Sequence, residues 1–66
     1  MRNAATDETF IRESLQKNGV RETVYVAANT YDGGYEVRAG TVDFFVDYET
    51  IDDGDEKTII ERYAKR

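Results

Sequence analysis

The chain contains no cysteine and no histidine. Without cysteine there are no disulfides, no thiolate zinc site and no cysteine nucleophile, and the redox compartment cannot be read. Without histidine the commonest general base and the commonest metal ligand are missing. No apolar run approaches the roughly 18 residues that span a bilayer. Residues 1–6 lack the hydrophobic core of a secretion signal, so the expectation is a soluble cytoplasmic protein that neither enters a membrane nor carries a cofactor. At 66 residues, the chain has room for one domain, 1–66, and a domain this short buries only about 60% of its unfolded surface. What is present argues for folding. Hydrophobic residues make up 39% of the chain and include five Tyr and three Phe, too many for a disordered segment.

Charge is unevenly spread. Residues 1–31 carry four acids and four bases. Residues 32–56 carry nine acids and one base, a balance of −8, and residues 57–66 carry one acid and four bases, for an overall −5. A middle segment this negative repels nucleic acid and anionic lipid and attracts a basic surface.

Thr6, Asp7 and Glu8 read as an N-cap followed by acids in the first turn. Phe10, Ile11 and Leu15 recur at helical spacing, and Lys17-Asn18-Gly19 closes the element, so a helix is predicted over about residues 7–18. Residues 20–31 are rich in β-formers and end at Asp32-Gly33, a hairpin turn signal. With those two residues as the turn, Ala28 faces Val37 and Val26 faces Ala39. A second turn at Ala39-Gly40 sets Val37 against Val42 and Tyr35 against Phe44. Both placements put Val24, Val26, Ala28, Tyr35, Val37, Ala39, Val42, Phe44, Val46 and Tyr48 on one apolar face. The opposite face receives Thr23, Tyr25, Ala27, Asn29, Tyr31, Glu36, Arg38, Asp43, Phe45, Asp47 and Glu49. Asp52-Asp53-Gly54-Asp55 reads as a turn, one of whose aspartates caps a last helix over about residues 55–65. Ile59, Ile60 and Tyr63 are its apolar stripe, and Arg62, Lys65 and Arg66 complement its dipole. The expected fold is α+β: a three-stranded antiparallel meander flanked by an N-terminal and a C-terminal helix, in the order α-β-β-β-α.

Three groupings bear on function. Asp43, Asp47 and Glu49 line the third strand, Glu36 lies near Asp43 across the sheet, and Asp52, Asp53 and Asp55 extend the negative charge past the strand end. Side chains two apart on a strand stand about 6.5–7 Å apart, a length scale comparable to that of successive phosphates. Such a row can offer carboxylates where a basic cleft expects phosphates, and like charges facing each other on a sheet need a reason. The alternative is a solvated face that serves solubility or adaptation to high salt. Tyr25, Tyr31 and Phe45 are aromatics among polar groups, suited either to anchor a partner or to be covered by a helix or a second copy. Asp52, Asp53, Asp55 and Glu56 are oxygen ligands, but their spacing does not fit a calcium loop and a capping turn explains them, so no metal is expected. Catalysis is not expected either. Asp43 and Asp47 share a flat face without an orienting group, Ser14 is the one serine, and Gly33-Gly34 opens no helix.

In size, acidity, mixed α/β build and lack of catalytic residues the chain resembles small phage-encoded anti-defence proteins, including anti-CRISPR and DNA-mimic inhibitors. The likeness is one of type, without a shared motif, and carries over no residue. It implies an inhibitor that acts in a host cytoplasm by occupying the nucleic-acid channel of a larger complex. The expected function is therefore a non-enzymatic binding protein. Its partner is a basic protein surface, with no direct contact to nucleic acid. Glu36, Asp43, Asp47, Glu49, Asp52, Asp53 and Asp55 dock on it, while Tyr25, Tyr31 and Phe45 supply desolvated contact. The alternative is a structural or regulatory homodimer joined through the three rings.

Overall fold

A computed structural model describes residues 1–65. Arg66, expected beside Lys65 at the end of the last helix, lies outside the described residues. The elements are α1 (Ala4–Lys17), β1 (Val24–Asn29), β2 (Gly34–Ala39), β3 (Val42–Asp47), α2 (Tyr48–Asp52) and α3 (Glu56–Ala64). The strands form one antiparallel sheet in the order β1-β2-β3. This is the expected small α+β layout, with an additional short helix between the sheet and the last helix.

Helix α1 starts before the predicted residue 7. Asn3 is its N-cap, with Oδ1 accepting from the Thr6 N–H at 3.1 Å, so Thr6 lies inside the helix. An Asn side chain caps as well as a Thr. The helix ends as its sequence indicates. Gly19 takes φ +92°, the Val20 N–H reaches the Leu15 carbonyl at 3.0 Å, and the Gly19 N–H reaches that of Gln16 at 3.1 Å. This is a Schellman closure, and it turns Val20 back into the core beside Leu15.

Both hairpin registers differ from expectation by two residues. The pairs are Val26↔Val37 and Ala28↔Tyr35 in the first hairpin, and Val37↔Phe44 and Ala39↔Val42 in the second. The first loop is residues 30–33 and not Asp32-Gly33 alone, because the Asn29 side chain organises it. Its Oδ1 accepts from the Asp32 N–H at 3.1 Å, and its Nδ2 donates to Asp32 at 2.9 Å and to Glu36 at 2.8 Å. The second turn is Gly40-Thr41 and not Ala39-Gly40. Only Gly40 has positive φ, +64°, as a type II′ turn requires. A slip of two residues keeps every strand side chain on its face, so the apolar face forms, except that Ala28 at its edge is exposed and Tyr48 lies beyond the strand.

On that face Val24, Tyr35, Val37, Ala39 and Val46 pack with Ile11 and Leu15 of α1, Val20, and Ile59 of α3. The Phe44 and Tyr63 rings meet edge to face at 6.2 Å, and Lys17 of α1 pairs with Glu56 of α3 at 3.0 Å. Both long helices thus cover one side of the sheet, and among the described residues no element covers its outer side. Strand β3 stops at Asp47, two residues short of expectation, so Tyr48 and Glu49 belong to α2 and not to the strand. Asp47 stands at the N-cap position of α2 and accepts from the Thr50 hydroxyl at 2.5 Å. Asp55 caps α3, as one aspartate of the turn was expected to do, accepting from the Thr58 N–H at 3.1 Å and its hydroxyl at 2.6 Å.

Candidate functional site

The outer face of the sheet is built by the residues that alternate away from the core. Reading across the three strands, Tyr25 lies beside Arg38 and Asp43, Ala27 beside Glu36 and Phe45, and Asn29 beside Gly34 and Asp47. Tyr25 is 64% exposed, Ala27 and Glu36 are exposed, and Phe45 is half-buried. Phe45 lies over Gly34: a Cβ there would come within 2.6 Å of the ring and 2.3 Å of the Val46 carbonyl. Gly34 therefore makes room for the ring to reach across the sheet. A shallow groove on this face is bounded by Tyr25, Ala27, Glu36, Arg38 and Asp43. A second runs between β3 and α3 along Phe44, Phe45, Asp47, Arg62 and Lys65.

The expected row of carboxylates is not a free row. Glu36 does not face Asp43; it faces Phe45, and Asp43 faces Arg38. Arg38 grips Asp43 with two bonds, Nε at 2.7 Å and Nη2 at 3.0 Å. That grip holds the Asp43 carboxyl below the ordinary carboxylate range. Asp47 is held low first by the Thr50 hydroxyl and then by Arg62, whose Nη1 lies 3.1 Å away. Asp52 pairs with Arg2 at 2.6 Å. Asp55 is occupied as a cap, and the Thr58 hydroxyl and N–H lower its pKa. The like-charge contact that called for a partner is therefore absent, and three of the seven acids are neutralised by the protein's own arginines. The two-residue register difference leaves faces unchanged and sets Arg38 and not Glu36 opposite Asp43, while Arg62 of α3 and Arg2 reach Asp47 and Asp52 from outside the sheet.

Glu36, Glu49 and Asp53 remain without a cation in salt-bridge range among the described residues. They do not form one cluster. Glu36 is on the outer face, Glu49 on α2 and Asp53 at its C-cap. Asp32, tied to Glu36 through Asn29, adds a second carboxylate at that end of the outer face. Tyr31 sits in the β1–β2 loop, 96% exposed and outside the sheet, so of the three rings only Tyr25 and Phe45 share a face.

One constellation was not foreseen. Arg2 bonds Asp7 at 2.8 Å through Nε, grips Asp52, and lies with its guanidinium 4.0 Å over the Tyr48 ring. Asp7 is buried and also accepts from the Tyr35 hydroxyl. Burial, with Asp7 beside it, pushes the Tyr35 phenol up to about 12. Arg2 is held protonated more firmly than usual, above all by Asp52. No local pattern connects positions 2, 7, 35, 48 and 52, so this network had no sequence signal. Asp47 at the start of α2 did have one, an aspartate three residues before Thr50 with Glu49 in the first turn.

Among the described residues no group of three acidic, His or Cys side chains is placed to hold a metal ion, and no helix is long and apolar enough to cross a membrane. No family model matches the chain, and no curated protein or solved structure is significantly similar to it.

Proposed function

We propose that the protein is a non-enzymatic binding module whose outer sheet face docks on a positively charged protein surface and blocks it. The observation that supports this is the composition of the one sheet face the helices leave bare. It combines an exposed Tyr25, a Phe45 ring that reaches over Gly34, and a Glu36 carboxylate with no cationic partner among the described residues, on a molecule of net charge −5. The overall charge steers the encounter, and the rings slow dissociation once water is excluded. The carboxylates that dock are Glu36 and Asp32. Asp43, Asp47 and Asp52 would have to surrender their arginines to act as phosphate mimics, which argues against a phosphate-like row as the mechanism. On a basic surface that binds nucleic acid, this occupancy would inhibit by competition.

The test compares immobilised wild-type protein with the double variant Tyr25→Ser/Glu36→Lys in nuclease-treated lysate. The expected result is a basic protein retained by wild type, released at about 1 M salt, where charges are screened beyond about 3 Å, and lost from the variant. Equal retention by both baits, or retention insensitive to salt, would show the reading to be wrong.

A further inference from the structure

We propose that the free edge of β1 is a self-association strand. Two copies pair their 26–28 segments antiparallel about a two-fold axis through Ala27, fusing two three-stranded sheets into one of six strands. This does not rest on the docking reading above.

The two edges of the sheet are managed differently. On the β3 edge, Asp43 and Asp47 place charges in the strand, and Arg62 donates to the outward Phe45 carbonyl at 2.9 Å. Charged side chains and blocked carbonyls are how sheet edges avoid pairing. Strand β1, Val-Tyr-Val-Ala-Ala-Asn, has no charge and no proline, and its ladder runs from Val24↔Ala39 to Asn29↔Gly34 without a bulge. One outward carbonyl is occupied: Val24 accepts from Arg12 Nη1. Outward groups recur every second residue along an antiparallel strand, so the N–H and C=O of Val26 and Ala28 also point away from the sheet. Ala28 is exposed and Val26 half-buried, so these four groups can be reached.

Geometry selects one occupant and one register. A two-fold through Ala27 sets Val26 against Ala28 of the second copy, twice, and all four free groups on each chain are used in four N–H···O=C bonds. A two-fold through Val26 would bring the Val24 carbonyl into the ladder and displace Arg12. One through Ala28 would set Val26 against Thr30, beyond the strand end. At the chosen axis the facing outer side chains are two alanines, small enough for close approach, and Tyr25 lies beside Asn29 of the second copy. Opposite charges also meet: Arg12, seated at the Val24 end and 3.7 Å from Glu8, comes beside the second copy's 30–33 loop, which carries Asp32, at both ends of the interface.

Sedimentation velocity from about 10 μM to about 1 mM, affinities typical of small interfaces, is expected to show reversible conversion from 7.6 kDa monomer to dimer. The Val26 and Ala28 amide protons should gain protection in proportion to the dimer. Ala28→Pro deletes one of the bridging N–H groups. Ala27→Lys faces Glu36 within its own sheet but sets like charges together at the axis. Each should weaken association at least tenfold while the circular dichroism of the monomer is kept. If Ala28→Pro does not fold, Ala27→Lys decides. A monomer at every concentration overturns the proposal. So does a dimer that survives both variants and is lost in Tyr25→Ala, which would mean pairing through the outer face.

Discussion

Asp7 is a buried carboxylate that two donors hold in place, Arg2 from the start of the chain and Tyr35 from the sheet. A buried acceptor that loses a donor keeps its desolvation cost. Tyr35→Phe is therefore expected to destabilise the domain by about 1–3 kcal/mol, read from urea unfolding. The same phenol gives an alkaline signature. Its pKa is raised to about 12 by burial and by Asp7, so the fold favours the protonated form. That stability is fully present below about pH 10 and is lost as pH rises toward the folded value. Wild type should lose stability across this window, and Tyr35→Phe should flatten the loss. At the acid end the sign is reversed. Asp43, Asp47 and Asp55 are depressed, so their contribution is complete above about pH 4 and disappears as pH falls through their lowered values. Thr50 is the first cause at Asp47, so Thr50→Val should give a shallower acid limb in an unfolding series from about pH 5 to about pH 2.

At the scale of elements, the layout and the buried face were legible because both rest on alternation, and alternation survives a slip of two residues. Register was not legible, because the loop lengths were set by groups whose preferences compete. Asn29 draws Asp32 into a side-chain turn and lengthens the first loop, and Gly40 must be the first central residue of the second turn. The pairing of Asp43 depended on register and not on face, and Arg62 and Arg2 reach Asp47 and Asp52 from outside the sheet. The expected row of free carboxylates is therefore broken, although every strand residue in it lies on the side that alternation assigns. Helix α2 carries conflicting signals, because Tyr48 and Glu49 continue the strand alternation while Asp47 and Thr50 form a capping pair. Gly34 also belongs to this scale. Gly34→Ala should cost about 1–3 kcal/mol, the usual range for overpacking, because the added methyl meets the Val46 carbonyl and the Phe45 ring. Thermal unfolding would check it, and the Phe45 ring protons should shift at the same time.

For the whole molecule, the margin is thin. Sixty-six residues at roughly 0.05–0.15 kcal/mol each imply a stability of only about 3–10 kcal/mol. Leu15 is fully buried in the cluster that joins helix to sheet, and Leu15→Ala should cost about 2–5 kcal/mol. A loss of that size consumes much of the margin, and a large unfolded fraction at 37 °C by circular dichroism is the expected outcome. Long-range ion pairs act differently. Arg2 joins residues 50 positions apart in sequence, and its removal in Arg2→Ala should raise amide exchange in α2 more than in the sheet. Because acids and bases from distant segments pair in this way, the uneven charge along the chain, −8 in its middle, does not become an equally uneven surface.

The contact between the Tyr35 hydroxyl and the Asp7 carboxylate also makes the protein its own optical probe. The chain has no tryptophan, so its ultraviolet emission comes from tyrosine. An excited phenol readily gives its proton to an adjoining carboxylate, which dims that ring. Unfolding separates the two groups, and the brightening that follows can report the folded fraction without any label.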